Sequence, residues 1–311
     1  MPRPFRFGVQ LHQAGSAAEW RATVREVEAL GYDAVHVPDH FYDQLAPIAA
    51  IQCAADATER LRVGALVFDN DYRHPLVLAK ELATLDLLSD GRLEIGLGAG
   101  WLRSDYDASG IPYDEPGVRV DRFEEGLAVI KGLLSGAPFS FSGKHYVITE
   151  HSGTPLPLQR PHPPIAVGGG SRRVLSIAGR EADIVGINPR LRSGAVDESV
   201  PLNSTPAATR EKLAWVREAA GERFADIELN VLVGATILTD DRAAIARTMG
   251  EAFGLDPEEA VRGVPITLVG TVAQMVEDLQ WRRAEYGFSY VVLGGDSWRA
   301  MAPVVEALAG T

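Results

Sequence analysis

Phe5-Arg6-Phe7-Gly8-Val9-Gln10-Leu11-His12-Gln13-Ala14-Gly15 is the stretch whose reading decides the fold. It is a β-type run that ends in a polar turn. An open, doubly wound sheet would carry its glycine-rich phosphate turn here, between the first strand and the first helix. Leu11–Gly15 is no such turn, which favours a closed barrel. Outward from it, short β-type runs alternate with amphipathic helical runs almost from end to end. Strands are predicted at Phe5–Leu11, Asp33–Pro38, Leu61–Phe68, Arg92–Leu97, Pro164–Gly168, Asp183–Ile187, Ile227–Leu238 and Phe288–Leu293. Helices are predicted at Ala17–Leu30, Pro47–Glu59, Pro75–Leu88, Arg172–Arg180, Ala207–Ala220, Val272–Tyr286 and Trp298–Leu308. Eight such units in 311 residues, with no linker between halves, suit a single α/β domain over 1–311, a (β/α)8 TIM barrel. Uneven spacing predicts insertion loops near 101–117, 136–163 and 188–225, the second containing a hairpin at Phe139–Ile148. Asn188–Asn203, polar and rich in Gly, Ser and Pro, is expected to be the most mobile stretch and a candidate lid.

Composition narrows the function. The formal net charge is −12 and no basic run occurs, so a nucleic-acid-binding face is not expected, although a local pocket can still hold a small anion. Cys53 is the only cysteine, which excludes an intramolecular disulfide; its surroundings, Ala49–Ala55, read as the packed face of a helix and the thiol as inert core. Met1-Pro2-Arg3-Pro4 leads straight into a strand without a signal-type apolar segment, and no apolar run reaches membrane-spanning length. A cytoplasmic enzyme acting on a small molecule, away from membranes, is the expectation.

Five motifs carry candidate chemistry. Gly96-Leu97-Gly98-Ala99-Gly100-Trp101 closes the fourth strand but has Trp101 where a dinucleotide fingerprint needs its third glycine. It reads either as a tight turn or as a place where a flat ring approaches Gly98, Ala99 and Gly100, with Trp101 as a wall. Val167-Gly168-Gly169-Gly170-Ser171-Arg172-Arg173 leaves a strand and enters a helix. Amides exposed there form an anion site, Ser171 caps the helix, and Arg172 or Arg173 adds positive charge; a plain loop is the competing reading. Asp39 and His40 end the second strand, where the pair can orient a ring or relay a proton, or Asp39 can simply cap the next helix. His12 ends the first strand. In Phe68-Asp69-Asn70-Asp71-Tyr72-Arg73-His74-Pro75, Arg73 and His74 read as capping and solvating residues before a helix that starts at Pro75. No metal site is expected: His36 and His40 are four apart, but Pro38 between them prevents a regular helix from presenting both. No Gly-x-Ser-x-Gly elbow occurs, while abundant Asp and Glu leave paired-carboxylate hydrolysis open.

At these residues the chain resembles the luciferase-like monooxygenase superfamily, in its coenzyme F420-dependent oxidoreductase branch. The similarity covers nearly the whole chain. It is strongest from Tyr72-Arg73-His74-Pro75, through Thr84–Arg92, to Gly96–Trp101, with support from Gly31–His40, Gly168–Gly170 and Ala178–Asp183. The resemblance implies a homodimeric barrel with the cofactor ring at the barrel mouth. By matching position it puts a third-strand bulge behind the ring at Leu66-Val67, with a cis peptide there in deazaflavin users. It also matches Gly169–Arg173 to the cofactor-phosphate stretch and Asp39-His40 to a pair beside the ring in sugar-phosphate dehydrogenases. Those relatives carry an acidic proton donor where this chain has Trp101, so their full acid–base scheme does not carry over.

The activity this implies is hydride transfer between C5 of coenzyme F420 and a small organic substrate, reducing an activated C=C or C=N bond. His40 is the leading proton source and His12 the second. One molecule would rest its ring near Leu66-Val67 and its anionic tail near Gly170. The alternatives are an FMN-dependent monooxygenase of the same fold and a cofactor-binding barrel without chemistry.

Overall fold

Strands apolar along their whole length need cover on both faces, which parallel sheets obtain from helices packed outside them. Leu93–Gly98 and Phe288–Leu293 are buried at every position, as are Ala34–Val37 and Ile184–Ile187. The structure is a computed structural model and describes residues 3–311. Its main sheet has nine strands, the two-residue Phe68–Asp69 and eight barrel strands: β1 (Arg6–Gln10), β2 (Ala34–Val37), β3 (Arg62–Ala65), β4 (Leu93–Gly98), β5 (Ile165–Gly169), β6 (Ile184–Ile187), β7 (Glu228–Val233) and β8 (Phe288–Leu293). Their order is β3-β2-β1-β8-β7-β6-β5-β4, and β4 pairs back onto β3, so the sheet closes as a parallel barrel. Eleven helices of seven or more residues accompany it: α1 (Ala17–Ala29), α2 (Pro47–Ala57), α3 (Pro75–Leu88), α4 (Arg103–Ser109), α5 (Pro116–Leu134), α6 (Arg172–Glu181), α7 (Pro206–Ala220), α8 (Arg242–Phe253), α9 (Pro257–Gly263), α10 (Val272–Tyr286) and α11 (Ala302–Leu308). Proline sits in the first turn of α2, α3, α5, α7 and α9, where its missing N–H costs nothing.

Packing divides the chain into two compact units. One comprises the residues up to Leu11, Glu26–Ala34 and Gly168–Thr311. Here β1 pairs with β8 (Gly8 opposite Val292) and β7 with both β8 and β6. The Tyr32 hydroxyl donates to the Trp298 carbonyl at 2.6 Å. Arg282, wholly buried, donates to four backbone carbonyls, those of Val261, Arg262, Pro265 and Thr267, and so fixes the chain between α9 and the strand Thr267–Gly270.

The other unit comprises His12–Arg25 and Val35–Val167. Here Gly64 on β3 lies opposite Glu94 on β4. A Cβ at Gly64 would run into the Glu94 carbonyl oxygen, and one at Gly96 into that of Ala65. Glycine at both positions therefore lets the two backbones meet. Past β3, Phe68 pairs with Leu97. Between these pairs lie three residues on one strand, 65–67, and two on the other, 95–96, which defines a bulge at Leu66-Val67. The Leu66–Val67 peptide is cis, as the resemblance implies.

Several expectations need correction. The single strand Ile227–Leu238 is two: β7 ends at Val233, and Ala235–Leu238 pairs with Thr267–Gly270 in a separate two-stranded sheet. The break falls at Gly234, whose N–H donates to Ile266 instead of continuing the barrel ladder. The 101–117 segment contains α4. Helix α5 was not among the predicted helices, although Phe123, Leu127, Ile130 and Leu134 recur at helical spacing and are buried. The last helix starts at Ala302, with a 3-10 turn at Gly295–Trp298 before it. Cys53 is half-buried, because α2 turns Ala50, Ile51, Ala54 and Ala55 inward instead. Among the described residues no helix is long and apolar enough to cross a membrane, and no group of His, Cys, Asp and Glu could hold a metal ion.

The glycine contact yields a direct test. Gly64→Ala should lower the unfolding free energy by about 1–3 kcal/mol, the usual cost of overpacking. Urea denaturation would show it, whereas Gly117→Ala, which meets nothing within 4 Å, should leave this seam undisturbed.

Candidate active site

The singled-out residues fall at the C-terminal ends of parallel strands, where functional groups gather in β/α barrels. His12 follows β1, Asp39-His40 follows β2, Leu66-Val67 follows β3, Gly98–Trp101 ends β4 and Gly168–Arg173 ends β5.

In the unit containing Val35–Val167, His40 is held by Asp105 and not by Asp39. Nδ1 of His40 lies 2.6 Å from Asp105 Oδ2. The Tyr72 hydroxyl donates to that same oxygen at 3.0 Å, and the Phe41 N–H donates to Oδ1 at 3.3 Å. With a carboxylate at Nδ1, that nitrogen carries the hydrogen and Nε2 is left as the working edge. The ring of His40 stacks on Tyr42, with centroids 5.2 Å apart, and meets Trp101 edge-on at 5.6 Å. Asp39 is neutralised by Arg73, whose Nη1 and Nη2 donate to it at 2.5 and 3.0 Å. It also accepts from the Asp69 N–H at 3.1 Å. The sequence-based pairing of Asp39 with His40 is therefore corrected. Adjacent residues of an extended segment point apart, and each found its own partner across the face.

A second cluster lies alongside. Tyr106 donates its hydroxyl towards Asp69 (3.2 Å) and Asp71 (3.0 Å), and Arg122 clamps Asp71 at 2.7 and 2.8 Å. Burial, reinforced by the charges of Asp71 and Asp39, pushes Asp69 up to about 7, against hydrogen bonds from the Asp71 N–H and Tyr106 that pull it down. Burial and the neighbouring carboxylates also raise Tyr72 and Tyr106, so both remain neutral donors.

The glycines of the β4 end have protein neighbours of their own. A Cβ at Gly98 would come 2.6 Å from Val67 Cγ2, and one at Gly100, whose φ is +71°, would meet the Tyr106 hydroxyl. Gly98 and Gly100 thus admit the bulge and the tyrosine. The Trp101 ring meets that of His40, and its carbonyl accepts from the Tyr113 hydroxyl at 3.1 Å.

In the other unit, Ser171 caps α6 by accepting from the Val174 N–H at 3.4 Å. Gly168 and Gly170 make room for the chain after β6: a Cβ at Gly168 would reach Asn188 Nδ2 at 2.8 Å, and one at Gly170 would strike Pro189 and Arg190 backbone near 2.5 Å. Gly169 accommodates Val174. Arg172 is drawn to Glu218 at 3.0 Å, an exposed pair of little strength, and Arg173 is exposed. The segment Asn188–Asn203 is secured at both ends by one buried amine: Lys212 Nζ donates to the carbonyls of Asn188 (2.8 Å) and Asn203 (2.5 Å). Burial pulls this lysine down to about 8, against the charge of Glu211, which acts to raise it. Inside the segment, Asp197 accepts from Ser193 and Ser199 hydroxyls.

The profile described as luciferase-like monooxygenase matches residues 3–308. The chain belongs to that family. An FMNH(2)-dependent dimethylsulfone monooxygenase of Pseudomonas putida is 38% identical over 127 residues, 41% of this chain and 35% of that protein. An F420-dependent glucose-6-phosphate dehydrogenase of Amycolatopsis mediterranei (strain U-32) is 30% identical over 164 residues, 50% of this chain and 49% of that protein. The luciferase-like chain thus spans half the length, or less, of these curated relatives. Among solved structures, the coenzyme F420-dependent tetrahydromethanopterin reductase of Methanopyrus kandleri superposes with a TM-score of 0.76 at 20% identity, covering 97% of this chain and 98% of that one, and so shares the fold. Both F420-dependent and FMNH(2)-dependent enzymes are among the relatives of this chain.

Reading this luciferase-like sequence alone missed Asp105, Tyr72, Arg73 and Lys212 as site-shaping residues. Only the Asp105-Tyr106 pair inside the 101–117 insertion carried a hint, since two polar groups beside a buried strand end need partners. Asp69 and Lys212 are each open to test. Asp69 has a raised folded-state value, so the stability it contributes is present below about 4 and is lost as pH climbs through about 7. The stability of wild type relative to Asp69→Asn should therefore fall between pH 5 and pH 8 in paired urea titrations. Lys212→Met should free both ends of Asn188–Asn203, and limited proteolysis within it should speed up at least about tenfold, tracking the lost closed population.

Proposed function

We propose that this luciferase-like protein is a coenzyme F420-dependent oxidoreductase that moves a hydride between the deazaflavin and a small organic substrate, reducing an activated C=C or C=N bond. The observation that carries the reading is His40, buried on its Nδ1 side against Asp105 with no partner for Nε2 among the described residues, beside the wall of Trp101. The residues suit a flat cofactor. The Leu66-Val67 bulge offers an apolar backing, and Trp101 and Tyr42 flank the histidine. When bound, the deazaflavin supplies the two-electron chemistry.

The chain's own contribution is positioning and proton handling. His40 holds a proton at Nε2, and Asp105 at Nδ1 fixes the tautomer and balances the imidazolium charge. Tyr72 and the Phe41 N–H hold the carboxylate in place. Tyr42 and Trp101 limit water around the ring. Asp39, tied to Arg73, keeps the neighbouring backbone in register, and His12 at the end of β1 is the second candidate proton carrier. We read the chain as one catalytic barrel that assembles as a homodimer in the cytoplasm.

A second reading, an FMN-dependent monooxygenase, is favoured by the 38% identity with the dimethylsulfone enzyme. Fluorescence titration of the purified protein with coenzyme F420 and with FMN separates the two. Affinity at least about tenfold higher for F420, roughly 1.4 kcal/mol, is the expected result. The reverse order would replace the deazaflavin proposal with the flavin one. For the histidine, His40→Ala should slow turnover by about 10²–10⁴ while cofactor affinity stays within a few-fold. Undiminished turnover would remove His40 from the mechanism.

A further inference from the structure

Two arginines lie one turn apart at the start of α5, and they are treated differently. Arg122 is matched twice, by Asp71 and Asp114. Arg119 is only 6% exposed, and no carboxylate among the described residues lies within ion-pair distance of it. Its Nε and Nη1 are sealed from solvent with no hydrogen-bond partner; Nη2 is not among the sealed atoms. The nearby acids are engaged elsewhere: Asp71 and Asp114 with Arg122, Asp69 with Tyr106, Asp105 with His40 and Tyr72, and Asp107 with Arg103. What Arg119 does have is aromatic rings. Its guanidinium carbon lies 4.0 Å from the centroid of Tyr113 and 5.7 Å from that of Tyr106.

A guanidinium stays charged at any working pH, and a buried charge needs a partner. Ring faces compensate only part of it. A second cation comes to the same place: the Arg103 guanidinium carbon lies 5.2 Å from the Tyr113 centroid. Its own partner, Asp107, is 3.4 Å away, and both side chains of that pair are more than half exposed, so the pair is readily exchanged. Two like charges gathered at one ring, one of them buried and uncompensated, describe a site waiting for an anion. Tyr113 also ties it to the Trp101 carbonyl, at the end of β4.

We propose that Arg119 and Arg103, arranged around Tyr113, bind an oxyanion, the carboxylate or phosphate monoester of a small-molecule ligand. A planar fork recognises such groups through paired charge-assisted hydrogen bonds, and Arg103 can supply the second cation from the open side. The site stands whichever cofactor the protein uses.

Calorimetric titration of inorganic phosphate and of succinate into the purified full chain, in buffer poor in both, tests it. Wild type should take up at least one of them saturably. Arg119→Met should weaken that uptake at least tenfold and Arg103→Gln severalfold, while Ser171→Ala, at the start of α6, should leave it in place. Titrating FMN against riboflavin, which lacks the phosphate, then identifies the source. A loss in Arg119→Met confined to FMN assigns the oxyanion to a cofactor phosphate, and unchanged FMN affinity with lost succinate assigns it to a substrate carboxylate; either result supports the site. If Arg119→Met does not fold, Arg103→Gln decides, since its fold does not depend on an exposed side chain. No saturable uptake by wild type, equal affinity in the arginine variants, or uptake abolished by Ser171→Ala alone overturns the proposal.

Discussion

The structure depends on two backbones that touch. At Gly64 and Gly96 the third and fourth barrel strands come so close that a single β-carbon on either would collide with a carbonyl of the other. That approach closes the barrel where β4 returns to β3. It also shapes the chain beyond the seam. Once the strands are pressed together, the extra residue at Leu66-Val67 has to bulge, and Gly98 makes room for the Val67 side chain. The end of β4 is in turn delivered to Tyr106 and Asp69 at Gly100. One run of small residues therefore does three packing jobs in a row, and the polar face beyond is built on their result.

That face is rich in carboxylates, and its organisation comes from keeping them apart electrostatically. Asp39 and Asp71 each receive an arginine fork, and Asp105 receives a histidine, a tyrosine and a backbone N–H. Among the described residues no cation pairs with Asp69, and burial and its negative neighbours raise its value to about 7. Such separation of otherwise similar groups by environment is how one site comes to hold both charged and protonatable carboxyls at the same pH. His40 draws its geometry from this arrangement, since the acid that orients it sits on a helix that enters only through the insertion after β4.

The other unit solves a different problem with a similar economy of parts. The segment after β6 packs its first residues against Gly168 and Gly170, and its two ends are drawn to a single lysine amine. Among the described residues that amine donates to backbone carbonyls alone, and burial loosens its hold on the proton more than the charge of Glu211 restores it.

Much of this was legible in the sequence. The alternation of apolar runs with helical ones determined the barrel, because periodicity is a local property that burial enforces wherever the strand lies. Proline and serine starts marked helices α2, α3 and α6, and the glycine runs marked the ends of β4 and β5 as special. The resemblance carried by Tyr72–Trp101 located the bulge. What the residues could not disclose were partners. Asp39 and His40 are neighbours in the chain and strangers in space, whereas His40 and Asp105 are sixty-five residues apart and hydrogen-bonded. Arg119 and Arg122 look equivalent on paper, and only the folded loop gives one of them two carboxylates and the other none. Composition and pattern depend on each residue's own tendency to be buried; pairing depends on where the backbone carries each charge, and that is decided by tertiary structure alone.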